Sequence, residues 1–197
     1  MKPNKFMMTI SILTLFVILA GATFAYFSVS VSSEEGSVGG EAAVINIRLD
    51  ILPLYTGKAL IPTNDSDIDK AYASSCVDKT GNGACSAYTI KVRNDGQDAE
   101  YIGNINFDLT DITNLKYRLL DSSGNVYQDT VTIDSGQEQP LGNKFTVASG
   151  TEKTFTLIVW LPNVDRDQSG EDANGSYSAT VTYTSSSGSK VTGMFSV

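Results

Sequence analysis

Lys153-Thr154-Phe155-Thr156-Leu157-Ile158-Val159-Trp160-Leu161-Pro162 is the stretch that decides the fold. In an extended chain side chains alternate between two faces, so Phe155, Leu157, Val159 and Leu161 share one face and Thr156, Ile158 and Trp160 the other. Both faces are largely apolar, which predicts a strand in the middle of a sheet or with its outer face covered. Pro162 ends it. Downstream, Tyr177, Ala179, Val181 and Tyr183 alternate with Ser178, Thr180 and Thr182, and a Ser/Gly turn over 185–189 returns the chain through 190–197. Upstream, Phe145 and Val147 precede Ser149-Gly150. Residues 115–120 and 126–133 flank the hairpin-length spacer Asp121-Ser122-Ser123-Gly124-Asn125. Ile105, Phe107 and Leu109 alternate with Asn106 and Asp108. Tyr88, Ile90 and Val92 alternate with Thr89, Lys91 and Arg93 before the turn Asn94-Asp95-Gly96-Gln97, and Ile45, Ile47, Leu49 and Ile51 alternate with Asn46, Arg48 and Asp50.

Two interruptions break this rhythm. Pro53 and Pro62 bracket 54–61, which predicts an irregular crossing segment. Between Ser66 and Ser74 the period lengthens: Ile68, Ala71 and Tyr72 share one helical face, Ser66 is a candidate cap, and Asp67 and Asp69 suit a helix N-terminus. About nine short strands at regular spacing predict an all-β fold over residues 42–197, an antiparallel β-sandwich, jelly-roll-like or immunoglobulin-like, with one short helix.

The N-terminus carries an address. Lys2 and Lys5 precede an uncharged, mostly apolar run from Phe6 to Ala20, followed by the small-residue stretch Ala20-Gly21-Ala22-Thr23-Phe24-Ala25. Positive, apolar and small-residue regions in that order make residues 1–25 a signal peptide; Ala20-x-Ala22 and Thr23-x-Ala25 both offer small side chains to a signal peptidase, the second, just before Tyr26, being favoured, and an uncleaved anchor is the alternative, because no charge appears from Phe6 until Glu34. Membrane contact is then confined to residues 1–25, and the partners are a signal peptidase during export and further copies of the chain. Over 26–41, Tyr26, Phe27, Val29 and Val31 with intervening serines form a strand pattern ending in the hinge Gly36-Ser37-Val38-Gly39-Gly40. Such a strand can pair within its own sheet or leave to complete a neighbour's, and the spacing leaves both open.

Composition narrows the function. The 14 Lys and Arg face 22 Asp and Glu, a formal net charge of −8, and Lys2 and Lys5 leave with the signal. Nucleic acids and anionic membranes need clustered cations, so neither is an expected partner. Histidine is absent from the sequence. Its absence removes the usual general base at neutral pH and the commonest metal ligand. Ser-His-Asp, His-Glu-x-x-His, Gly-x-Ser-x-Gly and P-loop patterns are all missing, so the chain reads as a non-enzymatic module without a resident cofactor.

Cys76 and Cys85, the two cysteines, flank Asp78-Lys79-Thr80-Gly81-Asn82-Gly83, and export of an even number predicts a disulfide. The loop Asp165-Arg166-Asp167-Gln168-Ser169-Gly170-Glu171-Asp172 opens like a calcium loop, with Asp165, Asp167 and Asp172 as candidate Ca²⁺ ligands, but Ser176 stands where an EF-hand has its twelfth-position Glu. Asn64-Asp65-Ser66-Asp67 and Asp69 form a second acidic run that helix capping accounts for. Asn64-x-Ser66 and Asn174-x-Ser176 match the glycosylation sequon.

Gly21-Ala22-Thr23-Phe24-Ala25-Tyr26-Phe27-Ser28 resembles the export segment of the camelysin/TasA family of Gram-positive surface proteins. Phe155-Thr156-Leu157-Ile158-Val159-Trp160-Leu161, followed by an Asp/Asn/Gly loop and Tyr177-Ser178-Ala179-Thr180-Val181, is similar to that family's closing strands. The resemblance covers about a third of the chain. It implies a jelly-roll-like sandwich, a dedicated signal peptidase, and extracellular fibres or matrix in which the mature N-terminal strand completes the next subunit. Val29 departs from it, standing where Asp or Asn is common after Phe-Ser. Family descriptions as metalloproteases do not carry over, because this chain has no His-Glu-x-x-His. The expected protein is thus a secreted structural subunit of the cell surface or matrix of a biofilm. The alternative is an anchored extracellular module binding Ca²⁺ or carbohydrate.

Overall fold

The computed structural model describes residues 31–32, 46–164 and 175–196. In chain order its strands are β1 (Val31–Ser32), β2 (Ile47–Tyr55), β3 (Ser86–Asn94), β4 (Ala99–Thr110), β5 (Lys116–Asp121), β6 (Val126–Thr132), β7 (Glu138–Pro140), β8 (Phe145–Val147), β9 (Thr151–Trp160), β10 (Ser176–Ser185) and β11 (Lys190–Ser196). The helix α1 (Ile68–Ala73) follows a 3-10 turn over Asp65–Asp67. The strands form two antiparallel sheets, β1-β11-β10-β4-β7 with β8 also on β4, and β2-β3-β9-β5-β6. Facing each other, they make an all-β sandwich.

β9 lies between β3 and β5, the middle of its sheet. Its inner face sends Phe155, Leu157 and Val159 into the main core, where Phe155 packs within 5.0 Å of Phe145 between ring centroids. Aromatic pairs tie the two sheets together, including Tyr88 with Phe195 at 4.1 Å and Phe107 with Tyr117 at 5.6 Å. The outer face of β9 is also covered. Ile158 and Trp160 are fully buried in a second, smaller core with Ile68 and Ala71 of α1, Ala87, Leu120 and the two cysteines. The two-faced apolar pattern of 155–160 reflects this three-layer arrangement of sheet, sheet and helix.

Two expectations need correction. β2 continues through Pro53, set opposite Tyr88, and ends at Tyr55 after a bulge. A proline is admissible there because β2 is an edge strand, and a missing N–H on the free side breaks no ladder bond. Ser66 does not cap the helix. It lies inside the 3-10 turn, and Asp67 occupies the N-cap of α1 without a side-chain cap bond. The neighbouring carboxylates of Asp65 and Asp69 are instead turned toward cations of the sheet beneath.

Candidate functional site

The free edges of the two sheets are unequal. β2 is kinked by Pro53 and a bulge, β6 pairs with β5 through two register shifts, and β7 is three residues long and ends in Pro140. All three are blunted in the ways that discourage another strand from adding. β11 is seven residues long and free of proline. Among the described residues its outer edge is occupied only by β1, with Val31 opposite Gly193 and Ser32 opposite Thr192.

Local sequence shapes that edge. Val191, Gly193 and Phe195 point inward and are buried, whereas Lys190, Met194 and Ser196 are exposed. Gly193 packs closely across the sandwich: a Cβ there would stand 2.8 Å from Ile51 Cδ1 and 3.2 Å from Leu49 Cδ2, so those side-chain ends would have to shift. Of the expected assembly residues, Val31 is brought to this edge by its backbone pairing. Tyr26, Phe27 and Val29 lie outside the described residues, as do Asp165, Asp167 and Asp172 of the expected calcium loop. Among the described residues no group of three or more Asp, Glu or Cys is placed to hold a metal ion.

The expected disulfide is present: Cys76 and Cys85 are bonded, with Cα atoms 4.8 Å apart. The chain leaves α1 through Ser75 and Cys76, both with positive φ of 61° and 59°, a conformation that costs a non-glycine residue energy and needs support from its surroundings. Support comes from Cys76 N–H donating to Ala71 O at 2.8 Å, from Ala84 N–H donating to Cys76 O at 2.9 Å, and from the disulfide itself. Within the loop the Asp78 carboxylate accepts the N–H groups of Thr80 and Asn82 at 2.9 and 2.8 Å. Those bonds, led by the Thr80 hydroxyl, hold Asp78 below its ordinary pKa. A shallow hollow of about 200 Å³ opens beside the disulfide between Leu54, Tyr55, Lys58 and Val77. Its one cation, Lys58, already donates to Gly81 O at 2.6 Å, and the hollow holds no acid–base pair.

A polar clasp fastens α1 to the sheet. Asp65 accepts from Lys116 Nζ at 2.5 Å and from Trp160 Nε1 at 3.0 Å. Arg118 donates to Asp69 at 2.7 Å and to Thr130 at 3.0 Å, and its guanidinium lies 5.9 Å from the centroid of the Trp160 ring. Sequence reading attributed these carboxylates to helix capping. Their cations sit about fifty residues away, beyond the reach of any local pattern. Burial on its own pushes the Asp65 pKa up, but the bonds from Lys116 and Trp160 and the charges of Lys116 and Arg118 outweigh it and hold the carboxyl below its ordinary value. A lowered native pKa means that the unfolded chain binds more protons, so this contribution is present above the unfolded Asp value near 3.9 and is lost as pH falls through the native value. Between about pH 5 and pH 3 the melting temperature of the wild-type chain should therefore fall more steeply than that of Asp65→Asn. Parallel slopes in a thermal melt series would show the clasp to be electrostatically silent.

Fold and edge together define an antiparallel β-sandwich with, among the described residues, one regularly paired strand at its margin. No protein-family model matches the chain, and no curated protein sequence matches it. Among solved structures it is similar to Spo0M, a sporulation control protein from Bacillus subtilis, at 13% identity and a TM-score of 0.36, covering 77% of this chain and 48% of that one. It is similar also to the cupredoxin domain of amoB from Nitrosocaldus yellowstonii, at 14% identity and a TM-score of 0.37, covering 77% and 84%. The chain thus spans about half the length of the Spo0M chain. At these scores nothing about function passes from either protein to this one.

Proposed function

We propose that the chain is an exported, non-enzymatic structural subunit of the cell surface or extracellular matrix, which assembles by giving its N-terminal strand to the β11 edge of a neighbouring copy. The observation that carries this reading is the antiparallel register Val31↔Gly193 at β11, which is as long as the edge strand β6 but, unlike it, pairs with its neighbour without a register shift. Residues directly opposite each other in a ladder share a face. A strand continued in this register sets Val29 opposite Phe195 and Ser30 opposite Met194. The apolar half of the alternation then falls on the core side, where Val191 and Phe195 already point, and the serines fall on the solvent side. Each apolar side chain buried this way contributes about 1.5–3 kcal/mol, and the main chain gains a full ladder. The resemblance of residues 21–28 to the camelysin/TasA export segment supports the same reading.

The test is removal of residues 26–32 from the exported chain, with filament formation followed by electron microscopy. Assembly should be lost while the remainder keeps the circular dichroism spectrum of a folded β-sandwich. Filaments from the truncated chain would overturn strand donation.

A further inference from the structure

The edge that a neighbour's strand would join is already taken within a single chain. β1 lies on β11 of its own chain, with Val31 opposite Gly193 and Ser32 opposite Thr192. The hold is short, two residue pairs against the seven that join β10 to β11. At one of the two positions it has no cross-strand side-chain pair, because Gly193 offers Val31 nothing to pack on. A short edge pairing of this kind opens locally at low cost. The same pairs form whether the strand comes from this chain or from another, so the contacts themselves do not choose between the two arrangements. The choice falls to the tether. Residues 33–46 stand between β1 and β2, and a tether of that length holds its end at an effective concentration on the order of 1 mM.

We propose that β1 closes the β11 edge of its own chain in the free monomer, and so holds assembly back until copies are crowded to about the concentration that the tether imposes. Self-closure inhibits only if donation to β11 is the assembly route, so this proposal rests on that reading and adds its regulation. Below about 1 mM a chain's own strand reaches the edge first. Above it a neighbour's strand competes on equal terms, by exchanging an identical element and without any new contact. Charge acts in the same direction: at a formal net charge of −8, dilute copies repel one another, which favours the self-closed form further. Crowding of the exported chain is then the switch.

The double variant Ser32→Cys/Thr192→Cys tests the closure. Directly opposed residues in an antiparallel ladder have Cα atoms about 4.5–5.5 Å apart, inside the range of roughly 4.4–6.8 Å that a disulfide spans. The native cysteines are already bonded to each other, and at 2% and 4% exposure they stay out of the exchange. With oxidised glutathione as oxidant and the exported chain at about 10 µM, the new bond should form within chains about a hundredfold more often than between them, the ratio of effective to actual concentration. Concentrated above about 1 mM, the locked monomer should form no filaments by electron microscopy. The same variant held reduced by a mild thiol should form them, and oxidising it afterwards should give covalent multimers. A majority of bonds between chains at the lower concentration, or no bond within the chain, would overturn self-closure, and covalent multimers from the concentrated sample would still leave strand donation standing. An intrachain bond with filaments from locked and reduced chains alike, or from neither, would overturn strand donation itself and the inhibition with it.

Discussion

Trp160→Ala should lower the free energy of unfolding by about 3–5 kcal/mol, the usual cost of truncating a large buried aromatic side chain. Folded domains are stable by about 5–15 kcal/mol, so this one change removes about a fifth of the total or more. Three losses coincide. The indole is fully buried in the second core, its N–H donates to Asp65, and its ring stands under the Arg118 guanidinium. Truncation leaves a cavity under α1 and leaves Asp65 with Lys116 alone. Arg118, already carrying a buried Nε without a partner, is then less well covered. Trp160 is the chain's single tryptophan. Its fluorescence therefore reports this site in the wild-type chain, and the variant must be followed by circular dichroism during a urea titration. A loss below about 1 kcal/mol would mean that the cover over β9 is loosely packed.

The second large effect is expected from the double variant Cys76→Ala/Cys85→Ala. The bond closes a loop over a separation of nine residues, and on loop entropy its removal costs about 2–3 kcal/mol, a figure that depends on the model of the unfolded chain. The location sharpens the expectation. Ser75 and Cys76 hold positive φ at the exit from α1, and the disulfide is one of the constraints keeping them there. Hydrogen exchange should accelerate first in residues 68–85, before the β9 and β10 amides are affected. Because both cysteines share one cluster with Trp160, the triple variant should depart from the sum of the separate effects. Uniform loss of protection across the whole sandwich would instead make the disulfide a global constraint.

The sandwich was legible because its signal is local. Residues 155–160 alternate with apolar groups on both faces, and 177–183 alternate with apolar groups on one. Those two patterns distinguish a strand covered twice from one with a solvated face. What escaped depended on neighbours in space. Pro53 looks like a strand terminator until β2 is known to be an edge. The three residues of β7 are too few to show a period. About nine strands were expected, and eleven are present among the described residues. The clasp partners of Asp65 and Asp69 lie on β5, half a hundred residues downstream. The β11 edge is obscured further, because Gly193 interrupts the apolar alternation for a reason visible only across the sandwich, in Ile51 and Leu49.

The unequal edges have a consequence for the shape of any assembly. If the chain donates its N-terminal strand as proposed, one segment to give and one regular margin among the described residues to receive it make a strand-exchange valence of two. Units of valence two form unbranched chains whose two ends differ, one offering a strand and the other a vacant margin. Through strand exchange alone, growth would then proceed at an end, and added material would lengthen the thread. On that reading, Pro53, Pro140 and the irregular pairing of β6 are what discourage strand addition at the other edges.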